Sequence, residues 1–265
     1  MQSVILVGGL ATRLRPVTEK IPKSMIKICE KPFLEYQIEL LKDNGVFDIV
    51  LCLGCLGFQI KEYFGDGKRF GVEIKYSEDG EKLLGTAGAL KKTERYLKDQ
   101  FFLLYGDSYL PYDYQEIKKY FDNLGQLGMM MVYKNKNRFD RSNVVVENGK
   151  VKVYDKKNQT KEMVYIDSGL SILRKEVLGM IPESSFFDLE KLYQKLIEEE
   201  KLAAYETKKR FFEIGSFAGL EEFENLIQGR FDPAHRPVFD PKLRSETQHR
   251  GNAQTRRELV KGGKL

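Results

Sequence analysis

Short runs of Val, Ile, Leu and Phe alternate with longer stretches in which apolar residues recur every three or four positions. That alternation predicts βα units built on a largely parallel sheet. Strands are expected at residues 3–7, 48–53, 72–76 and 101–105. Between them, residues 33–44 gather Phe33, Tyr36, Ile38, Leu40 and Leu41 mainly on one helical side and run into Gly45, a residue suited to a left-handed helix cap. Residues 87–97 and 114–124 read as further helices.

From Met129 onward the strands crowd together, at residues 129–133, 143–146, 151–154 and 164–173, with Asn-Gly and Lys/Asn-rich turns between them. This predicts a mixed extension of the sheet. Helical spacing returns at 188–199 and 217–228, with a strand near 211–214, and no internal repeat emerges. The expected fold class is α/β, a Rossmann-like three-layer α/β/α sandwich on a mixed, mostly parallel sheet. After Gly229 the pattern stops: three of the eight prolines fall between 233 and 241, and the remainder is polar, basic and aperiodic. Residues 1–230 are therefore expected to form the folded domain. The tail 231–265 reads as a disordered extension or linker, and equally as part of a further domain or an appended remnant.

Charge adds little to this picture. The net charge is +5, but the tail carries 8 Lys/Arg against 4 Asp/Glu, leaving 36 against 35 in the main body. A broad nucleic-acid or membrane face is not implied. Both histidines, His235 and His249, lie in the tail, so histidine acid–base catalysis and histidine-bound zinc are excluded from residues 1–230. Cys29, Cys52 and Cys55 form an odd set, expected to be small buried hydrophobes in a reduced, cytoplasmic protein. Apolar stretches fall far below the ~20 residues of a membrane span, and the opening residues lack a basic signal-peptide start.

Candidate chemistry begins where the first strand meets Gly8-Gly9-Leu10-Ala11-Thr12-Arg13-Leu14-Arg15-Pro16. Adjacent glycines let backbone N–H groups approach a ligand, and Arg13, Arg15 and Lys23 follow closely, so an anion is the natural partner. The loop is neither a Walker sequence nor G-x-G-x-x-G, and a glycine pair after a strand also serves as a plain tight turn. Asp107 follows the strand at 101–105, at the carboxyl edge where open α/β sheets bind ligands, and is a candidate Mg²⁺ ligand. Glu213 closes another apolar segment and offers a second hard oxygen; each acid alone is also a common cap or turn residue.

Taken in order, these residues resemble the sugar-1-phosphate nucleotidyltransferases. The pattern G-G-x-x-T-R-L-x-P…P-K-x-M spans Gly8 to Met25, followed by Leu84-Gly85-Thr86-Ala87-Gly88, Gly106-Asp107, Asp155-Lys156, Asp167-Ser168-Gly169 and Glu213-Ile214-Gly215. The resemblance covers residues 1–228 and implies that Gly8, Gly9, Thr12 and Arg13 hold a nucleoside triphosphate, with Lys23 at the reacting centre. It places Glu78, Gly85 and Thr86 at the base and Asp107 and Glu213 on Mg²⁺. Lys156 is implied at the sugar phosphate, and Asp155, Asp167 and Gly169 along the sugar pocket. In three places the chain departs from the family pattern. Ala11 replaces glycine, which suits a negative φ; Ser24 replaces proline; Glu213 replaces aspartate, one CH₂ longer.

Such chemistry needs no histidine. A sugar phosphate has a second pKa of about 6, so its oxygen is already an anionic nucleophile at neutral pH. The likeness runs nearest to the heptose- and mannose-1-phosphate guanylyltransferase branch, and a carboxylate at Glu78 or Asp79 would accept the paired N1 and N2 donors of guanine. Cytidylyl, uridylyl or thymidylyl transfer stays open, as does a non-catalytic regulatory relative; a homo-oligomer is compatible with either. A nucleic-acid role is disfavoured because the tail offers no aromatic platform, and a dinucleotide oxidoreductase lacks its third glycine.

Overall fold

The computed structural model describes residues 1–9, 11–80, 84–183 and 185–230; the expected tail lies outside the described residues. Strand β1 (Gln2–Leu6) is followed by the short pair β2 (Lys27–Ile28) and β3 (Lys31–Pro32), then α1 (Phe33–Asp43), β4 (Asp48–Leu53), α2 (Gly57–Phe64), β5 (Glu73–Glu78) and α3 (Gly85–Lys92). The chain continues through β6 (Gln100–Tyr105), β7 (Ser108–Tyr109), α4 (Tyr114–Asp122), β8 (Gly128–Tyr133), β9 (Val144–Glu147), β10 (Lys150–Tyr154) and β11 (Ile166–Arg174). It closes with α5 (Leu189–Glu198), β12 (Leu202–Thr207), β13 (Phe212–Glu213) and α6 (Phe217–Ile227).

Nine strands make one sheet in the order β5-β4-β1-β6-β11-β8-β12-β10-β9. β1 sits in parallel register with both neighbours, Ser3 facing Ile49 of β4 and Phe102 of β6. All five of its residues are buried, as expected of a strand covered on both faces. Only β11 and β10 run against the rest, so the sheet is mixed and mostly parallel.

Alternation sorts the side chains. Ile5 packs with Leu34 and Ile38 of α1, Ile60 and Phe64 of α2, and Phe121 of α4, whereas Val4 and Leu6 meet Leu90 of α3 and Leu189, Leu192 and Leu196 of α5. Helices thus cover both faces, giving the three-layer α/β/α arrangement. A third cluster, including Leu14, Ile26, Phe33, Ile214 and Phe223, ties α6 to the amino-terminal loop. At about 1.5–3 kcal/mol per fully buried large apolar side chain, this small cluster fixes where that loop lies.

Local signals act as expected at two turns. Gly45, at φ +75°, receives the end of α1, with its N–H donating to Lys42 and that of Val46 to Leu41. Asn148 and Gly149, both at positive φ, close the hairpin between β9 and β10.

Elsewhere the structure corrects the sequence. The helix expected over 87–97 begins at Gly85 and stops at Lys92, where the Thr93 hydroxyl donates to the Leu90 carbonyl; a separate 3-10 turn covers Glu94–Tyr96. α2 and β12 were not anticipated. Of the three free cysteines only Cys52 is buried; Cys55 is exposed in a turn and Cys29 half-buried. Ala11 contradicts the expectation most sharply: its φ is +46°, a left-handed conformation, not the negative φ that would suit alanine. The Thr18 hydroxyl and the Leu14 N–H both donate to its carbonyl and hold it there. Among the described residues no helix is long and apolar enough to cross a membrane.

Candidate active site

A cavity of about 240 Å³ opens at the carboxyl ends of β1, β4 and β6. Gly8, Gly9, Lys23, Gly85, Thr86 and Asp107, all singled out from sequence, line it together. The glycine loop is set by neighbours: Val7 N–H donates to the Cys52 carbonyl at 3.0 Å and Gly106 N–H to the Leu6 carbonyl at 2.9 Å. Gly8 also packs backbone to backbone on Gly54, where an added Cβ would fall 2.5 Å from the Gly8 oxygen. Strand β4 thus supports the loop only because Gly54 has no side chain.

Lys23 reaches into the cavity from a 3-10 turn, and its ammonium ion-pairs with the Asp107 carboxylate, both side chains being mostly buried. The Asp107 segment is itself anchored from behind. Buried Gln37 of α1 donates from Nε2 to the carbonyls of Tyr105 (2.9 Å) and Ser108 (2.7 Å). β13 pairs antiparallel with β7, setting Glu213 opposite Ser108, and the Ile214 N–H donates to the Asp107 carbonyl. Two acids separated by more than a hundred positions in the chain therefore meet. Glu213 is exposed, yet desolvation by the surrounding groups and the charge of Asp107 push its carboxyl above the ordinary carboxylate range.

These two acids fit a hard divalent cation. Both offer carboxylate oxygens of the type such a cation would take. Among the described residues no group of three or more metal-binding side chains gathers.

A second group surrounds Tyr105, which also lines the cavity. Lys156 Nζ lies 3.4 Å from the Tyr105 hydroxyl and 4.9 Å from the ring centroid. Desolvation works against its charge, but Tyr105 and Asp167 outweigh it and hold the ammonium above its usual range. Asp167 accepts from the Tyr154 hydroxyl at 3.0 Å and from the Gly169 N–H at 2.9 Å, and Gly169 itself sits at φ +90°. Asp155 instead accepts from the N–H groups of Lys157 and Asn158, which hold its carboxyl below the usual range and shape the turn that presents Lys156.

At the opposite wall, Thr86 exchanges hydrogen bonds with the start of α5: its hydroxyl accepts from Leu189 N–H at 2.8 Å, while its N–H donates to Asp188. Asp79 lines the cavity and is raised above the ordinary carboxylate range by burial. Glu78 instead pairs with Lys61 on the surface, 2.7 Å away. Thr12 and Arg13 sit on an exposed turn, and among the described residues Arg13 makes no ion pair. Sequence reasoning missed Gln37, Gly54 and Asp188. A polar residue on the apolar side of the helix at 33–44 and a glycine just past the strand at 48–53 were the available signals for the first two.

Residues 2–229 match the Nucleotidyl transferase family. The chain is 33% identical over 216 residues to the D-glycero-alpha-D-manno-heptose 1-phosphate guanylyltransferase of Campylobacter jejuni, covering 81% of this chain and 95% of that protein. It is 34% identical over 215 residues to the UTP–glucose-1-phosphate uridylyltransferase of Synechocystis, covering 75% of this chain but 55% of that longer protein. Among solved structures it is similar to HddC from Yersinia pseudotuberculosis complexed with GMP-PN, at 26% identity and TM-score 0.69, over 85% of this chain and 99% of that one. A glucose-1-phosphate thymidylyltransferase from Bacillus anthracis, described as putative, shares the fold at TM-score 0.76 and 19% identity, over 88% and 97% of the two chains.

Proposed function

The chain belongs to the nucleotidyl transferase family, and from that premise we propose that it transfers a guanylyl group from GTP to a heptose or mannose 1-phosphate, releasing pyrophosphate. It is a sugar-1-phosphate nucleotidyltransferase; the base, the sugar and the metal are the parts proposed. The observation that carries the reading is the meeting of Gly8, Gly9, Lys23 and Asp107 in one cavity that Asp79 also lines.

The chemistry is chiefly positioning and charge neutralisation. Backbone N–H groups at Gly8 and Gly9, with Arg13 swinging in from its exposed turn, hold the triphosphate. Lys23 rests on Asp107 and is drawn to the phosphates when they arrive. Lys156, steadied on Tyr105, holds the sugar phosphate, whose ionised oxygen attacks the α-phosphorus without a general base. Asp107 and Glu213 are the residues that would hold Mg²⁺, which would supply positive charge to the phosphates. Asp79, rather than Glu78, accepts the two guanine donors, because Glu78 is committed to Lys61.

Pyrophosphate release measured for GTP, UTP, CTP, dTTP and ATP against mannose, glucose and heptose 1-phosphates tests the reading. The highest kcat/KM is expected with GTP and heptose or mannose 1-phosphate. A UTP and glucose 1-phosphate optimum would replace it with the activity named for the Synechocystis relative, and nucleotide binding without release would make this a regulatory protein.

A further inference from the structure

Five large apolar residues are exposed among the described residues, and one of them, Phe186 at 61% exposure, lines the cavity. Its neighbour Phe187 points the other way, packing into the core beneath α5, with Lys191 and Lys195 over its ring at 5.7 and 5.2 Å. The strap carrying both is pinned to α3. Phe187 N–H donates to the Leu84 carbonyl at 2.8 Å, and the Phe187 carbonyl accepts from Ala87 and Gly88, each at 2.9 Å. The approach is close enough that a Cβ on Gly85 would lie 2.8 Å from the Phe187 oxygen. An aromatic ring is thus held open to water on a fixed backbone, in the wall that also carries Asp79, Gly85 and Thr86.

We propose that Phe186 is the stacking platform for the nucleotide base, a role that rests on the assignment of this cavity to the nucleoside triphosphate. Asp79 reads the edge of the base and Phe186 covers its face. The edge distinguishes one base from another; the face is common to all of them. Stacking also accounts for the exposure, because a bound base would cover the ring.

The chain contains no tryptophan, so Phe186→Trp introduces a sole indole reporter. GTP is expected to quench that fluorescence saturably. Phe186→Ala is expected to raise KM for GTP by about 10- to 100-fold and to leave KM for the sugar phosphate and the melting temperature unchanged. ITP, which keeps the purine face but lacks the N2 donor, should lose as much as GTP in Phe186→Ala; Asp79→Asn should instead change the ratio between the two. An indole indifferent to saturating GTP, an unaltered KM for GTP in Phe186→Ala, or a rise confined to the sugar phosphate would each overturn the role. If the unaltered protein shows neither a thermal shift nor pyrophosphate release with any nucleotide, the nucleotide assignment itself fails, and Phe186 loses its ligand with it.

Discussion

Gly54→Ala tests whether β4 sets the position of the glycine loop. The added methyl would lie 2.5 Å from the Gly8 oxygen and 2.8 Å from the Gly8 Cα, both backbone atoms with no rotamer to relieve the overlap. Restoring ordinary contact requires Gly8 to retreat by roughly 1 Å. Overpacking of this kind costs about 1–3 kcal/mol, and in a domain of this size that lowers the melting temperature by roughly 2–10 °C. The functional effect should be larger in proportion, because a displacement of about 1 Å in the groups that position substrate can reduce rate 100-fold. Steady-state pyrophosphate release below the melting transition is therefore expected to show kcat/KM lower by about two orders of magnitude. Gly9→Ala is the control for stability, since its Cβ would meet nothing within 4 Å; its melting temperature should match the parent protein. A Gly54→Ala enzyme with parental kcat/KM would refute the claim that this contact sets the loop.

Other substitutions probe separate links. Ala11→Gly removes a left-handed alanine, a conformation costing about 1–2 kcal/mol, against about 0.5–1 kcal/mol of extra glycine entropy; calorimetry should show the melting temperature rising by roughly 1–3 °C, and a fall would contradict the loop conformation. Asp48 is held below its ordinary range: burial opposes its charge, but Lys98, Gln2 and Lys75 outweigh it. The stability this contributes is present above the unfolded-state carboxyl pKa and is lost as pH falls through the lower folded value. Unfolding free energies from denaturant titration of Asp48→Asn should accordingly lie below the parent at pH 7, by about 1 kcal/mol, and converge with it in acid; a constant gap across pH would exclude the linkage. Lys23→Ala should lower kcat by at least about 100-fold while far-UV circular dichroism stays unchanged. A Mg²⁺ titration of Glu213→Gln that superimposes on the parent curve would remove that residue from the cation site.

Where each element stands in the chain decided how readable it was. β1 and β4 are continuous apolar runs bounded by breaks, and α1 carries a clean helical stripe ending at glycine. α2 is only eight residues long and starts at a glycine, too short for a periodic pattern to stand out. β12 begins Leu-Ala-Ala just after α5, and alanine favours neither the strand nor a break from the helix before it. At the site, motif residues were legible because glycine, lysine and aspartate carry the chemistry directly. Their supports were not. Gln37, Gly54 and the strap at 185–189 act through contacts with segments far away in sequence, and Ala11 shows that residue type alone does not reveal backbone handedness.

The two-residue ladder between β7 and β13 has a temporal consequence. Asp107 is translated long before Glu213, and the hairpin tip at Asn148-Gly149 falls between them. No nascent chain that stops before β13 holds both acids, so the pair proposed to hold a cation cannot come together until that strand has been made. Severed at that tip, the protein would leave each fragment with a single acid, and only their reunion would rebuild the pair.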